Sequence, residues 1–253
     1  MYFYKPVFFI IQFFNECENT DLKNLIMKKP LGKKTMSYVK DILLEKTGSD
    51  YNEVLEVYLS KGRYQLCTSG AIYSYEDKYV NFLNIFNSLN WEKLNIERVL
   101  VLGLGLASVP QMLEQRFKKD LDYYAVEIDP EIIRLANKYI LSELKSPIQI
   151  FEMDAEIFVE VSDEMFDMII IDIFDNNVIP EKFESEEFLR KTSQLLSDEG
   201  IILFNRLNID DKTYQKTMDY NEKVFKELFP FAKSIFIKDN IILCNRDDVW
   251  LEN

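Results

Sequence analysis

The sequence predicts an α/β fold: a doubly wound, mostly parallel sheet of seven strands with a small antiparallel β unit in front of it. Three observations predict this. From Glu97 onward, short apolar runs alternate with segments of helical period, the order that builds a parallel sheet with crossover helices. One run, Met168 to Ile173 (MIIIDI), is apolar almost throughout, as suits a central strand covered on both faces. Glu97 to Asp129 (ERVLVLGLGLASVPQMLEQRFKKDLDYYAVEID) reads as strand, glycine turn, helix, strand and acidic strand end. That is the first half of a nucleotide-binding unit.

The elements follow in order. Met1 to Phe14 (MYFYKPVFFIIQFF) is too short to span a bilayer and lacks a cleavage site, so it reads as a packed strand or helix. A natural start at Met27 is the alternative, which would leave residues 1–26 poorly integrated. Lys28 to Lys34, with Pro30 and Gly32, reads as a loop, and Ser37 to Lys46 as a short helix or strand. Glu53 to Ser60 alternates as a strand, Lys61-Gly62 turns, and Arg63 to Thr68 returns beside it. Asp77 to Leu89 has helical spacing. The expected division is residues 1–92, carrying the small β unit, and residues 93–253, the α/β domain.

In that domain the strands are Val99–Leu102, Tyr123–Val126, Ile148–Met153, Met168–Ile173 and Ile201–Asn205, with helices Ala107–Phe117, Pro130–Ile140, Asp154–Val161, Ser185–Leu196 and Lys212–Phe229. Pro130 suits a first helical turn. Lys233–Ile237 and Ile241–Asn245 close the chain as a hairpin.

Composition limits the chemistry. The net charge of −13 repels phosphate, so nucleic acid and anionic membranes are poor partners, and cationic substrates such as amines are favoured. Three separated cysteines and no CxxC point to reduced thiols in a cytoplasmic protein without a zinc site. There is no histidine, which removes Ser-His-Asp and Cys-His chemistry and leaves Asp, Glu, Tyr, Lys or Cys for proton transfer. The 19 phenylalanines and 14 tyrosines read as core filling.

Parallel sheets bind ligands beyond the carboxyl ends of their strands, at the switch in strand order. Here those ends carry Gly103 and Gly105, Glu127, Asp154, then Asp172 and Asp175. Loops are polar in general, but four successive strand ends of this kind exceed that expectation. Glycines let a ligand approach the backbone at a helix N-terminus, and a carboxylate ending the next strand can accept both ribose hydroxyls.

The runs VLVLGLGLAS, AVEID, EMDAEIF and FDMIIIDIFDNNVIP resemble the class I S-adenosylmethionine-dependent transferase fold, which is Rossmann-like. Within it the chain is similar to the spermidine synthase family of aminopropyltransferases and its methyltransferase-like relatives, over residues 50–245. The resemblance implies that Gly103, Leu104 and Gly105 line the methionine part of S-adenosylmethionine or of its decarboxylated form. It implies Glu127 and Ile128 at the ribose, Asp154 and Ala155 at the adenine, and Asp172 as the first acid of an Asp-x-x-Asp pair. Asp175, the second acid, would take the proton of an attacking amine. Such a base makes physical sense, since an amine attacks only when neutral. Tyr73 is the candidate at the substrate end, against simple packing of an aromatic.

Three departures from the family follow. The glycine loop has no acid, the segment Ser69 to Tyr79 is short and less acidic, and Asn176-Asn177 follow the acid pair. They favour methyl transfer to a small acceptor, a cationic amine among the candidates, over aminopropyl transfer. A homodimer is a candidate assembly. A nicotinamide oxidoreductase, metal-assisted O-methylation with Asp172 and Asn205 sharing Mg²⁺, and a non-catalytic binding module are the competing readings. No dedicated metal site is expected.

Overall fold

The computed structural model describes residues 31–69 and 71–252. The expectations for the apolar first fourteen residues and for a start at Met27 lie outside the described residues. A helix, α1 (Leu31–Met36), stands where a loop was expected. Gly32 read as a breaker, but a single glycine costs a helix only about 1 kcal/mol against alanine and does not by itself end it.

The small sheet is antiparallel, in the order β1 (Ile42–Thr47), β2 (Leu55–Ser60), β3 (Arg63–Cys67), β4 (Ile72–Ser74). Lys61 and Gly62 both have positive φ, 48° and 76°, and Ser60 pairs with Arg63, so the predicted turn is a tight two-residue hairpin. After a 3₁₀ turn, α2 (Val80–Ser88) follows. It lies before the boundary expected at residue 92, yet its Phe82, Ile85 and Phe86 are buried in the core of the large sheet.

That sheet has the predicted seven strands. They are β5 (Arg98–Leu102), β6 (Asp122–Glu127), β7 (Ile148–Glu152), β8 (Phe166–Ile171), β9 (Leu196–Leu207), β10 (Lys233–Ile237) and β11 (Asn240–Cys244), in the order β10-β11-β9-β8-β5-β6-β7. β5 to β9 are parallel, and β11 is antiparallel to both its neighbours. The chain runs outward from β5 to β7, then crosses back to lay β8 on the other side of β5. The switch point is therefore between β5 and β8.

Alternate residues of the central strands serve two cores. Val99, Val101, Met168 and Ile170 face α2 and α3 (Ser108–Gln115). Leu100, Leu102, Ile169 and Ile171 face α5 (Ala155–Val161) and α6 (Glu186–Gln194). Burying an aliphatic side chain of this size stabilises the fold by about 1.5–3 kcal/mol. The small sheet packs Leu55, Val57, Leu59 and Tyr64 on α4 (Pro130–Tyr139). Asp129 secures the joint. It caps α4 through Glu131 N and accepts from Ser49 Oγ at 2.5 Å and Asn52 Nδ2 at 2.7 Å.

Two elements differ from expectation. β9 starts at Leu196, ahead of the strand expected from Ile201, and takes in Asp198-Glu199-Gly200, with a register shift against β8. The long last helix is α7 (Asp211–Tyr220) running through a π turn, Asn221–Phe225, into Lys226–Leu228. The wider turn brings Tyr220 and Phe225, five apart, onto one buried face.

Candidate active site

A cleft of about 870 Å³ opens at the carboxyl ends of β5, β6, β7 and β8. β4 and the start of α2 wall its other side. The size suits a nucleoside-scale ligand. Gly103, Leu104, Gly105, Glu127 and Ile128 line it, as do Asp154, Ala155, Asp172, Asp175 and Tyr73. The fold thus brings together every residue that the sequence singled out. Five carboxylates (Glu127, Asp154, Asp172, Asp175, Asp239) and two lysines (Lys78, Lys182) line the cleft, which favours a cationic occupant.

The glycine turn is shaped by backbone crowding as well as by any ligand. Gly103 has φ +93°, and a Cβ there would lie 2.3 Å from the carbonyl oxygen of Asp172. Only glycine lets the exits of β5 and β8 touch. Gly105 has φ +53°, and its Cβ would lie 3.3 Å from the Tyr73 carbonyl oxygen. The turn is therefore wedged between the Asp172 exit and β4. Ser108, opening α3, adds a 2.6 Å bond to Ser74 Oγ and accepts from Tyr75 N.

Glu127 ends β6 against this turn and is buried. Its Oε2 accepts from Leu104 N at 3.1 Å and Gly105 N at 3.4 Å, and its Oε1 from Asp129 N at 3.1 Å. Burial outweighs these bonds and pushes its pKa up to about 7. Asp154 caps α5 through Glu156 N at 2.8 Å. Its other oxygen pairs with Lys182, whose ammonium lies 4.8 Å from the Phe183 ring centroid. Ile128 and Ala155 line the cleft between these two acids.

Asp172 follows β8 directly and is half-buried. Its Oδ1 accepts from Asn205 Nδ2 at 2.8 Å and from the Tyr79 hydroxyl at 3.2 Å. Burial raises its pKa to about 6 against these two bonds. Asn205 Oδ1 in turn accepts from Asn240 Nδ2 at 2.9 Å. In the metal-sharing reading Asn205 would turn its oxygen to a cation held with Asp172, whereas here its amide nitrogen donates directly to the acid. Among the described residues no group of three or more His, Cys, Asp or Glu is placed to hold a metal ion.

Asp175 is exposed at the tip of a tight turn. Its backbone exchanges hydrogen bonds with Val178 at 2.8 and 3.0 Å, and Asn176 has φ +52°. Tyr73 braces this turn. Its hydroxyl accepts from Asn176 N at 2.8 Å and donates to Phe174 O at 3.4 Å, gripping the backbone on both sides of Asp175. Burial pushes the Tyr73 hydroxyl pKa up, so it stays protonated and can donate. Tyr79, Asn240 and Lys182 were not foreseen from the sequence. Tyr79 had a signal, as the last tyrosine of the segment after the hairpin; the other two had none.

Among the described residues no helix is long and apolar enough to cross a membrane. A polyamine aminopropyltransferase of Vibrio vulnificus is 31% identical over 139 residues, 53% of this chain and 46% of that protein. Other curated relatives are mostly polyamine aminopropyltransferases, with some methyltransferases. The chain spans about half the length, or less, of the curated relatives it matches. The fold is shared with spermidine synthase from Thermotoga maritima (TM-score 0.60, 15% identity, 80% of this chain and 72% of that one). It is shared also with human methyltransferase-like protein 13 in complex with SAH (TM-score 0.55, 22% identity, 70% and 84%). The family model described as the spermine/spermidine synthase domain matches residues 86–252, well over half of the chain, and the chain belongs to that family.

Proposed function

We propose that this chain is a transferase that binds an adenosyl sulfonium and moves its aminopropyl group to an amine. The observation that carries this reading is Asp172 beside the glycine turn. Its two donor neighbours, Tyr79 and Asn205, already point at it. The tail of the cofactor would thus meet an anion. Two like charges 4 Å apart repel by about 4 kcal/mol at the effective dielectric of a protein surface. A tail carboxylate is disfavoured there and a lone ammonium is favoured, which suits decarboxylated S-adenosylmethionine. The prevalence of aminopropyltransferases among the relatives supports the same choice, in place of the methyl transfer favoured by the sequence.

In this reading Gly103, Leu104 and Gly105 flank the tail, and Glu127, with Ile128 beside it, accepts the ribose hydroxyls. Asp154 and Ala155 meet the adenine. The neutral amine attacks the carbon next to sulfur, the C–S bond breaks, and its electron pair stays on sulfur as a neutral thioether. The nitrogen gives its extra proton to Asp175, whose exposed position passes it to water. The sulfonium is a good leaving group, so alignment supplies much of the remaining catalysis. We place the reaction in the cytoplasm on the cysteine usage of the sequence.

Methyl transfer is the second reading. Lys78 lines the same cleft and offers a partner for a methionine carboxylate. Leu106, buried at 1% exposure, stands in the glycine loop where the synthases carry an acid. Calorimetric titration with S-adenosylmethionine and with its decarboxylated form separates the two, with mass spectrometry of products from diamine acceptors. Tighter binding of the decarboxylated form and aminopropylated product are expected. Methylated product overturns the first reading in favour of the second, and binding of neither form sinks both.

A further inference from the structure

We infer that Tyr79 and Asn240 are positioning residues for the Asp172 carboxylate, fixing one of its oxygens so that the other is offered to the ligand. The inference rests on the reading that Asp172 receives the amine of the cofactor tail. Tyr79 stands at the N-terminal edge of α2, 93 residues away in sequence, and donates to Oδ1 at 3.2 Å. Asn205, on β9, donates to the same oxygen at 2.8 Å. No hydrogen bond to Oδ2 occurs among the described residues, and Asp172 lines the cleft.

Asn240 acts one step further back. An amide has one donor end and one acceptor end, so its orientation is set by whichever neighbour is fixed. Asn205 is fully buried and cannot turn to water. Asn240 donates into Asn205 Oδ1 at 2.9 Å and so turns the Asn205 amine toward Asp172. A flipped Asn205 would set two amide nitrogens against each other and an amide oxygen against a carboxylate. Asn240 is itself held by two ladders, opposite Ile237 in the closing hairpin and opposite Leu207 on β9. The hairpin tip thus reaches the ligand-facing acid through one intervening side chain. With both donors on Oδ1, Asp172 is left as a one-oxygen acceptor, matched to an ammonium.

The test compares two adenosine thioethers that share base and ribose: 5′-(3-aminopropyl)thioadenosine, which has the amine, and 5′-methylthioadenosine, which lacks it. Calorimetry on the full chain should show Tyr79→Phe and Asn240→Ala each weakening the amine-bearing ligand about tenfold. The amine-free ligand should stay within twofold of wild type. Asn240→Gln, which keeps the donor, should recover part of the loss. Equal losses for both ligands indicate a merely structural role and overturn the inference, as does no loss for either. Wild-type protein that binds neither thioether overturns the transferase reading and this inference with it, a pattern distinct from the other two.

Discussion

The two arms of the cleft hold their carboxylates by different means. On the arm proposed to hold the nucleoside, Glu127 is gripped by backbone N–H groups of the glycine turn, and Asp154 caps the helix that it opens while Lys182 pairs with its other oxygen. On the arm proposed for transfer, Asp172 and the turn carrying Asp175 are held by side chains from β4, from Tyr79 just before α2 and from β9, with β11 bonded behind the last of these. Backbone grips are built into the local strand–turn–helix geometry and survive most substitutions. Side-chain grips depend on tertiary packing, and each can be changed without rebuilding the fold. In the proposed reading, the nucleoside arm rests on geometry general to the architecture, and the transfer arm rests on contacts particular to this chain.

The largest expected effect is on the transfer arm. Removing the proposed base with Asp175→Asn should lower kcat by ~10²–10⁴, the usual contribution of a positioned acid or base. Nucleoside affinity should stay within twofold, because Asp175 is exposed and belongs to the other arm. Single-turnover kinetics beside calorimetry checks both halves. An unchanged kcat would break the comparison, since the transfer arm would then hold no chemistry of its own.

A smaller effect is expected from Glu127→Gln, at about 1.5–3 kcal/mol for hydrogen bonds to a charged group, or ~10- to 160-fold in nucleoside affinity. It should carry a pH signature. Burial raises the folded pKa of Glu127 from 4.5 to about 7. The stability that this raised pKa contributes is complete below about pH 4.5 and is lost as pH rises through about 7. Ribose hydroxyls donate to the ionised form, so affinity should rise with pH over that interval. The amine-free 5′-methylthioadenosine isolates this effect from Asp172, whose pKa lies near 6. Its thermal stabilisation of the protein should be greater at pH 8 than at pH 6, and the difference should vanish in Glu127→Gln. A flat profile in the wild type would remove Glu127 from the ribose.

The same contrast governs what the sequence made legible. Glu127 ends a strand, and Asp154 and Asp172 follow within two residues of one, so their place at the ligand-binding edge follows from the strand pattern alone. The five parallel strands were legible for the same reason, since β-branched and apolar runs mark buried parallel strands wherever they fall, and the last two were legible as apolar runs across a turn. Tyr79 and Asn240 were not legible as site residues. Each reaches the cleft through contacts between elements far apart in sequence, which no local period records. Gly103 was read as making room for a ligand, while its nearest constraint is the Asp172 carbonyl, a neighbour 69 residues later. The helix over Leu31–Met36 and the π turn at Asn221–Phe225 were missed because proline and glycine signals, or a plain helical period, do not specify how a turn is closed.

Tyr73 gives the finest test, because it belongs to the transfer arm yet holds backbone. Its hydroxyl takes one hydrogen bond from Asn176 N and gives one to Phe174 O. Tyr73→Phe deletes both and keeps the ring. Asn176 is exposed, so water can replace the lost partner, and the net cost should be about 0.5–1.5 kcal/mol. The turn also retains its own closure between Asp175 and Val178. Asp175 should therefore become less well placed without being lost, with kcat falling ~3- to 10-fold and nucleoside affinity unchanged. Faster hydrogen exchange at the Asn176 amide should accompany the fall, as a direct record of the released brace. If Tyr73 instead supplied or removed a proton itself, its loss would match that of Asp175→Asn in size, and exchange at Asn176 would have no bearing on it. The double variant distinguishes these cases further. A brace acting only through Asp175 adds nothing once that carboxylate is gone, whereas an independent catalytic group lowers the rate again.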